Sequence, residues 1–267
     1  MSQEVQNMKI TLIQPVLRAR DYESNVAEIE RLMSLAPKSD VYVLPEMWAT
    51  GFDVYPTEKT RSAGREALAW MHRQADVRQC AVVGSLAVDE SVDDWGAELS
   101  LGWRNRLYFV MPGGERAVYD KVHLFTLSDE PLSYVSGKTR GQVEWRGVTF
   151  CLQICFDLRF PESARQVEGT SYDVLINVAN WPSSRQSARD ILLRARAIEN
   201  QAFVVGVNCV GCCGKLVYPG RSVVVNPEGH IVADAGDEAG FATFEPDLGS
   251  MYRLRQEFPV GIGESLL

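Results

Sequence analysis

The 267-residue sequence contains no run approaching the roughly 18 consecutive apolar residues that a membrane-spanning helix requires. Its first residues, MSQEVQNMKITLIQ, also lack the charged start and apolar stretch of a secretion signal, so a soluble cytoplasmic protein is expected. Cysteine is scarce: six residues in a chain of this length cannot form a disulfide scaffold, and reduced thiols are the expectation. Cys209, Cys212 and Cys213 have no second ligand pair at zinc-finger spacing, so no metal site is expected. Positive charge is in deficit. A formal net charge of −8 and a pI near 5.1 argue against nucleic acid or an anionic membrane as partner, although one local arginine or lysine can still hold a small anion. There is no Gly/Ser linker and no internal repeat, and Gly211 to Gly214 lacks the Lys-Ser/Thr ending of a phosphate-binding loop. One domain spanning residues 1–267 is therefore expected.

What is present is an alternation of strand and helix patterns. Met8 to Gln14 reads as a strand, and Asp21 is positioned to cap a helix carrying Val26, Ile29, Leu32, Met33 and Ala36 at helical spacing. Val41 to Leu44 is a short apolar strand ending at Pro45 and Glu46, followed by a helix marked by Ala63, Ala67, Trp70, Met71 and Ala75. Ala81 to Val88 reads as a strand, and Glu98 to Met111 with Arg116 to Tyr119 as a hairpin turning at Pro112, Gly113 and Gly114. The pattern then restarts. Val148 to Ile154 is a strand, Pro161 to Val167 a short helix and Val174 to Ala179 another strand; the long helix that follows carries Ala188, Ile191, Leu192, Ala195 and Ile198 on one face. Strands are expected at Phe203 to Asn208, Ser222 to Asn226, His230 to Ala235 and Gly240 to Phe244. Met251 to Leu267 reads as an irregular tail whose apolar residues are suited to packing at a subunit interface. Helices with one apolar face, beside strands apolar on both faces, imply two stacked sheets with helices outside: a four-layer α-β-β-α sandwich of two similar β/α halves.

Three ionisable residues follow predicted strands: Glu46 after VYVLP, Lys121 after AVYD and Cys155 after VTFCLQI. Carboxyl ends of strands are where α/β proteins gather ligands, so these three are candidates for one site. A thiol beside a carboxylate that can take its proton and a cation that favours the thiolate is an activated nucleophile. The Lys121 ammonium and the backbone N–H of Phe156 would then receive the negative charge that builds on an attacked carbonyl oxygen. Cys80, Cys151 and Cys209 sit in or beside apolar runs and read as packing residues, and Cys212 and Cys213 as loop thiols. A second reading makes His123 the base, since alternation would put Lys121 and His123 on one face of an extended segment.

The motifs WATGF after Glu46, YDKVHLF around Lys121, CFDLRFPE from Cys155, and NVANWP followed by RARAIENQAFVVGVN resemble the nitrilase, or carbon–nitrogen hydrolase, superfamily from about Met8 to the tail. Within it the chain looks most similar to the omega-amidase branch, which deaminates 2-oxoglutaramate and 2-oxosuccinamate. The resemblance implies Glu46 as general base, Lys121 as stabiliser of the tetrahedral intermediate, Cys155 as the nucleophile that carries a thioester, and Glu130 as a fourth member orienting Lys121 or water. It implies a small-molecule amide as substrate and a homodimer; no metal or organic cofactor is expected, because the chain supplies base, nucleophile and oxyanion stabiliser. Phe156 would lend its N–H, and Trp48, Phe52, Phe125, Tyr134, Phe156 and Trp181 are aromatic candidates for a pocket wall. Arg159 has two readings, a buried ion pair or a substrate contact; the carboxylate of an omega-amide needs a donor such as Arg185, Arg159 or a tyrosine. A nitrile, another amide or an N-carbamoyl substrate, or a catalytically silent binding protein, are the competing readings.

Overall fold

The computed structural model describes residues 8–90, 102–167, 169–213 and 215–260. The first half runs β1 (Ile10–Gln14), α1 (Tyr22–Leu35), β2 (Val41–Val43), α2 (Glu58–Arg78), β3 (Ala81–Asp89), β4 (Trp103–Val110) and β5 (Arg116–Asp120). After a one-turn helix, α3 (Glu130–Ser133), come β6 (Gly141–Trp145), β7 (Val148–Ile154), α4 (Pro161–Ala164), β8 (Val174–Val178), α5 (Gln186–Asn200) and β9 (Phe203–Val207). The chain ends in β10 (Val210–Cys213), β11 (Leu216–Pro219), β12 (Val223–Val225), β13 (Ile231–Asp234), β14 (Gly240–Phe244) and α6 (Leu248–Glu257). No helix among the described residues is long and apolar enough to cross a membrane.

Two six-stranded sheets result, ordered β14-β1-β2-β3-β4-β5 and β13-β12-β9-β8-β7-β6. In each, three parallel strands (β1, β2, β3 and β7, β8, β9) continue into antiparallel ones, so the halves share one plan. Alternation decides which side chains face where. Ile10, Leu12, Val41, Val43, Phe150, Leu152, Val174, Ile176 and Val205 meet between the sheets, whereas Tyr42, Leu44 and Val82 face α1 and α2, and Cys151, Leu175 and Val204 face α5. The α-β-β-α sandwich expected from the sequence is the fold. Fully buried side chains of this size contribute about 1.5–3 kcal/mol each, so the middle layer is the main source of stability.

Local signals mostly act as read. The Asp21 carboxylate accepts from the backbone N–H of Ser24, 3.1 Å away, and so caps α1. Gly64 of α2 lies so close to β3 that a Cβ there would stand 2.6 Å from the Ala87 carbonyl oxygen. We expect Gly64→Ala to destabilise by about 1–3 kcal/mol through this overlap, despite alanine's better helix propensity. Thermal denaturation checks it: an unchanged or raised Tm would show that α2 can move away from the strand.

Several expectations are corrected. Met251 to Glu257, read as irregular tail, belongs to α6, where the Asp247 carboxylate caps the first turn by accepting from Ser250 N at 2.9 Å. Residues 261–267 of that expected tail, and Glu98 to Leu101 of the expected hairpin, lie outside the described residues. Cys212 and Cys213 are strand residues of β10, paired antiparallel with β11. The stripe Ala188, Ile191, Leu192, Ala195 and Ile198 is not the buried face of α5: Ile191 is 65% and Ile198 51% exposed. The face turned inward carries Arg189, Leu193, Arg196, Ala197 and Asn200. Polar residues can occupy it because they are bonded there: Arg196 donates to the Leu158 carbonyl at 2.7 Å, and the Asn200 side-chain oxygen accepts from Gln166 N at 3.0 Å.

Candidate active site

Cys155 directly follows β7 and begins a 3-10 turn reaching Arg159, with the cysteine itself at a left-handed φ of +46°. Such a conformation is strained for any residue other than glycine, and it is held by neighbours that over-determine it. The buried Asp157 carboxylate accepts from Ile154 N at 2.9 Å, from the Tyr119 hydroxyl at 2.8 Å and from His123 N at 2.9 Å. The turn thereby tips the thiol out of the sheet into a cavity of about 170 Å³. Phe156 stands beside it at the first turn of this short helix, where backbone N–H groups lack acceptors within the turn.

Glu46 lies beyond β2, wholly buried. One carboxylate oxygen accepts from Lys121 Nζ at 2.9 Å and from Asn105 Nδ2 at 2.8 Å; the other accepts from the backbone N–H of Asn180 at 2.9 Å. The Asn180 side chain closes the grip by donating to the Glu46 carbonyl at 2.7 Å. Lys121 follows β5 and also donates to both oxygens of Glu130, each at 3.0 Å. Glu130, at the start of α3, accepts in addition from Phe125 N at 2.6 Å and from Asn105 Nδ2 at 3.2 Å. Four chain segments thus converge: Glu46, Lys121 and Glu130 form a buried cluster, with the half-buried Cys155 beside it at the cavity.

Its electrostatics follow from two carboxylates around one ammonium. Burial alone pulls the Lys121 pKa down, but the Glu130 and Glu46 charges outweigh it and the net direction is up, so the ammonium is locked on. Burial, then the Glu46 charge, push the Cys155 thiol well above its ordinary range, against a smaller opposing pull from Lys121. The resting sulfur is therefore a neutral thiol close to the Glu46 carboxylate, which makes a base indispensable for attack.

The cavity above the thiol is walled by Phe52, Phe125, Phe156 and Trp181, with Tyr218 and Leu216 contributed by the β10–β11 hairpin. Trp48 and Tyr134 are not part of the wall. Trp48 packs on Trp70 at a ring separation of 5.1 Å, and the Tyr134 hydroxyl donates to the Asp53 carbonyl at 2.6 Å. Arg159 is exposed at the cavity and makes no ion pair among the described residues, which removes the buried-pair reading. Its guanidinium lies 5.3 Å from the Trp181 ring centroid, and that of Arg185, also in the wall, 5.1 Å from Phe125. His123 is engaged elsewhere: Nδ1 is 2.8 Å from Asp157 and the ring stacks on Phe160 at 3.8 Å. Among the described residues no group of three or more His, Cys, Asp or Glu is arranged to hold a metal ion.

Asn105 and Asn180 were missed by the sequence reading. Asn180 lies inside NVANWP, where the motif was visible but its contact with Glu46 was not. Asn105, in the middle of β4, carries no local signal, because only the β3–β4–β5 ladder brings it to the carboxylates.

The chain belongs to the carbon–nitrogen hydrolases: the carbon-nitrogen hydrolase family model matches residues 9–256. Among its relatives, Omega-amidase YafV of Escherichia coli K12 is 37% identical over 254 residues, covering 94% of each chain. The 2-oxoglutaramate amidase of Bacillus subtilis is 36% identical over 225 residues, 83% of each. Among solved structures, XC1258 from Xanthomonas campestris, a CN-hydrolase superfamily protein with an arsenic adduct in its active site, superposes with a TM-score of 0.85 at 32% identity, covering 98% of this chain and 99% of its own. A mutant amidase from Nesterenkonia sp. AN1, with the acetamide moiety of fluoroacetamide added covalently at its active-site cysteine, gives a TM-score of 0.80 at 26% identity, covering 96% and 97%.

Proposed function

We propose that this protein hydrolyses omega-amides of 2-oxo dicarboxylic acids, 2-oxoglutaramate and 2-oxosuccinamate, through a thioester on Cys155. The observation that carries the chemistry is the buried contact of Glu46, Lys121 and Glu130 around a neutral thiol. Glu46 takes the thiol proton as sulfur attacks the amide carbon. The oxygen that becomes negative is received by Lys121 and the Phe156 N–H. When the intermediate collapses, the carbon–nitrogen bond breaks and Glu46 returns its proton to departing ammonia, leaving the acyl group on sulfur. Water then enters, loses a proton to Glu46 and attacks the thioester, which frees the acid and restores the thiol. Glu130 acts through others: it holds the Lys121 ammonium and, through Phe125 N, the aromatic wall. No cofactor is called for, since base, nucleophile and oxyanion donors all come from the chain.

The substrate class is supported by the relatives at 36–37% identity and by the cavity itself. An apolar wall suits the methylenes of a short acyl chain. Arg159 and Arg185, each lying over an aromatic ring and with no side-chain hydrogen bond to protein among the described residues, suit the far carboxylate. Ammonia release from 2-oxoglutaramate, measured beside a Cys155→Ala control, tests the function. Turnover of neutral amides, nitriles or N-carbamoyl compounds in its place would overturn the substrate assignment but not the chemistry. We further expect Arg185→Ala to raise KM for 2-oxoglutaramate about 10-fold or more, the worth of one charge-assisted contact, while leaving KM for a neutral amide nearly unchanged. Equal losses on both substrates would remove Arg185 from carboxylate binding.

The chain is taken as one domain acting as a cytoplasmic homodimer. The exposed stripe of Ile191 and Ile198 on α5 supports self-association, and Ile191→Glu tests it by the elution volume of the purified protein.

A further inference from the structure

Behind the nucleophile, on the α5 side of the second sheet, lies a buried polar row that the mechanism above does not use. Register sets it out: Gln153 of β7 pairs with Asn177 of β8, Asn177 with Gly206 of β9, and Gly206 with Val223 of β12. Paired residues share a face, and Leu193 of α5 fixes which one, since a Cβ on Gly206 would meet its methyl carbons at 2.7 and 2.8 Å. The absent side chain at Gly206 makes room for the Arg189 guanidinium, whose Nη2 would stand 3.1 Å from such a Cβ. Arg189 is completely buried, and so are Gln153 and Asn177 to within 1%.

This row is short of partners in a complementary way. Arg189 donates through Nη1 to the Arg221 carbonyl at 2.8 Å, but its Nε and Nη2 have no partner, and neither do the side-chain oxygens of Gln153 and Asn177. Arg189 has no salt bridge among the described residues: the adjacent Asp190 accepts from Gln186 at 2.7 Å. An unpaired buried cation is costly, and a fold retains one at a position where something else is gained. Here the neighbour is the strained elbow. Asn177 Nδ2 points to the Cys155 carbonyl at 3.4 Å, so the row ends on the backbone of the nucleophile itself.

We propose that Arg189 is a positioning residue for Cys155, acting through Asn177. Asn177 pairs with Gly206, the position against which the guanidinium lies, so the buried positive charge beside the carboxamide favours the orientation that turns its oxygen toward Arg189 and its NH₂ to the Cys155 carbonyl, which keeps the left-handed elbow aimed into the cavity. The Arg189 charge also acts on the thiol in the same direction. Glu46 and Glu130 against Lys121 leave the catalytic group one negative charge in excess, and forming the thiolate adds another; Arg189, beneath the sheet, is a second cation that offsets this.

The inference rests on Cys155 being the nucleophile, and the experiment separates the two. The rate of Cys155 alkylation by iodoacetamide, followed by mass spectrometry, is compared in the intact protein and in Arg189→Met, Arg189→Lys and Asn177→Ala, with kcat, KM and Tm for each. If Cys155 in the unaltered protein reacts no faster than the other five cysteines, the nucleophile assignment itself fails. If it does react faster, Arg189→Met is expected to slow alkylation and kcat together by 10- to 100-fold, the scale of a small misplacement, with KM little changed and Tm equal or higher. Arg189→Lys recovers part of the rate, and Asn177→Ala slows alkylation as Arg189→Met does. Unchanged alkylation and kcat in Arg189→Met, or a lowered Tm with kcat retained, would overturn the proposal by making Arg189 purely structural. Should Arg189→Met not fold, Arg189→Lys and Asn177→Ala decide: full alkylation rates in both would overturn it.

Discussion

Glu46→Gln is expected to lower kcat by about 10²–10⁴-fold, the usual worth of a positioned general base, while the protein stays folded. The amide is nearly isosteric, so the contacts made by Asn105 and Asn180 can largely persist, and Lys121 keeps Glu130 as its counter-charge. What disappears is the carboxylate acting most strongly on the thiol, the group placed to accept its proton. Removing the Glu46 charge also relieves the largest influence after burial that raises the thiol, so a small fraction of thiolate will form unaided at alkaline pH. Residual activity should therefore rise with pH in the variant. His123→Asn, by contrast, leaves the catalytic group untouched and should keep kcat within about tenfold, because the imidazole faces Asp157 and Phe160 rather than sulfur. Steady-state ammonia release across a pH series checks both; a His123 variant more impaired than the Glu46 variant would reverse the assignment of the base.

Lys121→Ala is expected to cost stability as well as activity. The ammonium lies between two carboxylates with no solvent access, and its removal leaves Glu46 and Glu130 facing each other uncompensated. Breaking a buried pair from one side costs about 3–5 kcal/mol, which for a chain of this size is a fall in Tm on the order of 10 °C. For the intact site the pH dependence lies at the alkaline end: with the Lys121 pKa raised, its contribution is complete below the ordinary lysine value of 10.5 and is lost only as pH rises through the folded value. Differential scanning calorimetry of both proteins between acid and alkaline pH tests the prediction. A Lys121→Ala variant as stable as the parent would mean that the ammonium is not what holds the two carboxyl groups together.

Glu46 and Cys155 were legible because each ends an apolar strand, and such ends must come out at a sheet edge. The sandwich was legible because strands apolar on both faces need cover on both. The α5 helix shows where this reasoning stops. Its apolar residues recur at helical spacing, yet Ile191 and Ile198 face outward, while Arg189, Arg196 and Asn200 go inside. Periodicity measures where apolar residues cluster around a helix axis; it cannot tell which stripe the fold covers when polar residues on the other stripe find buried carbonyls. Arg159 illustrates the same limit in reverse, since neither its charge nor its motif revealed a guanidinium lying open over Trp181.

The sequence by itself determined the main strands and helices of the two halves, the layer order and the candidacy of Glu46, Lys121 and Cys155, because these depend on local pattern and on residue chemistry, while Glu130 was reached through the family resemblance. Tertiary structure alone decided that Asn105 and Asn180 grip Glu46, that His123 serves Asp157, that the β10–β11 hairpin walls the cavity, and that an arginine without an ion pair among the described residues sits behind Cys155. These contacts join residues far apart in the chain, and their geometry is set by strand register and by packing between layers, which no spacing along the sequence encodes.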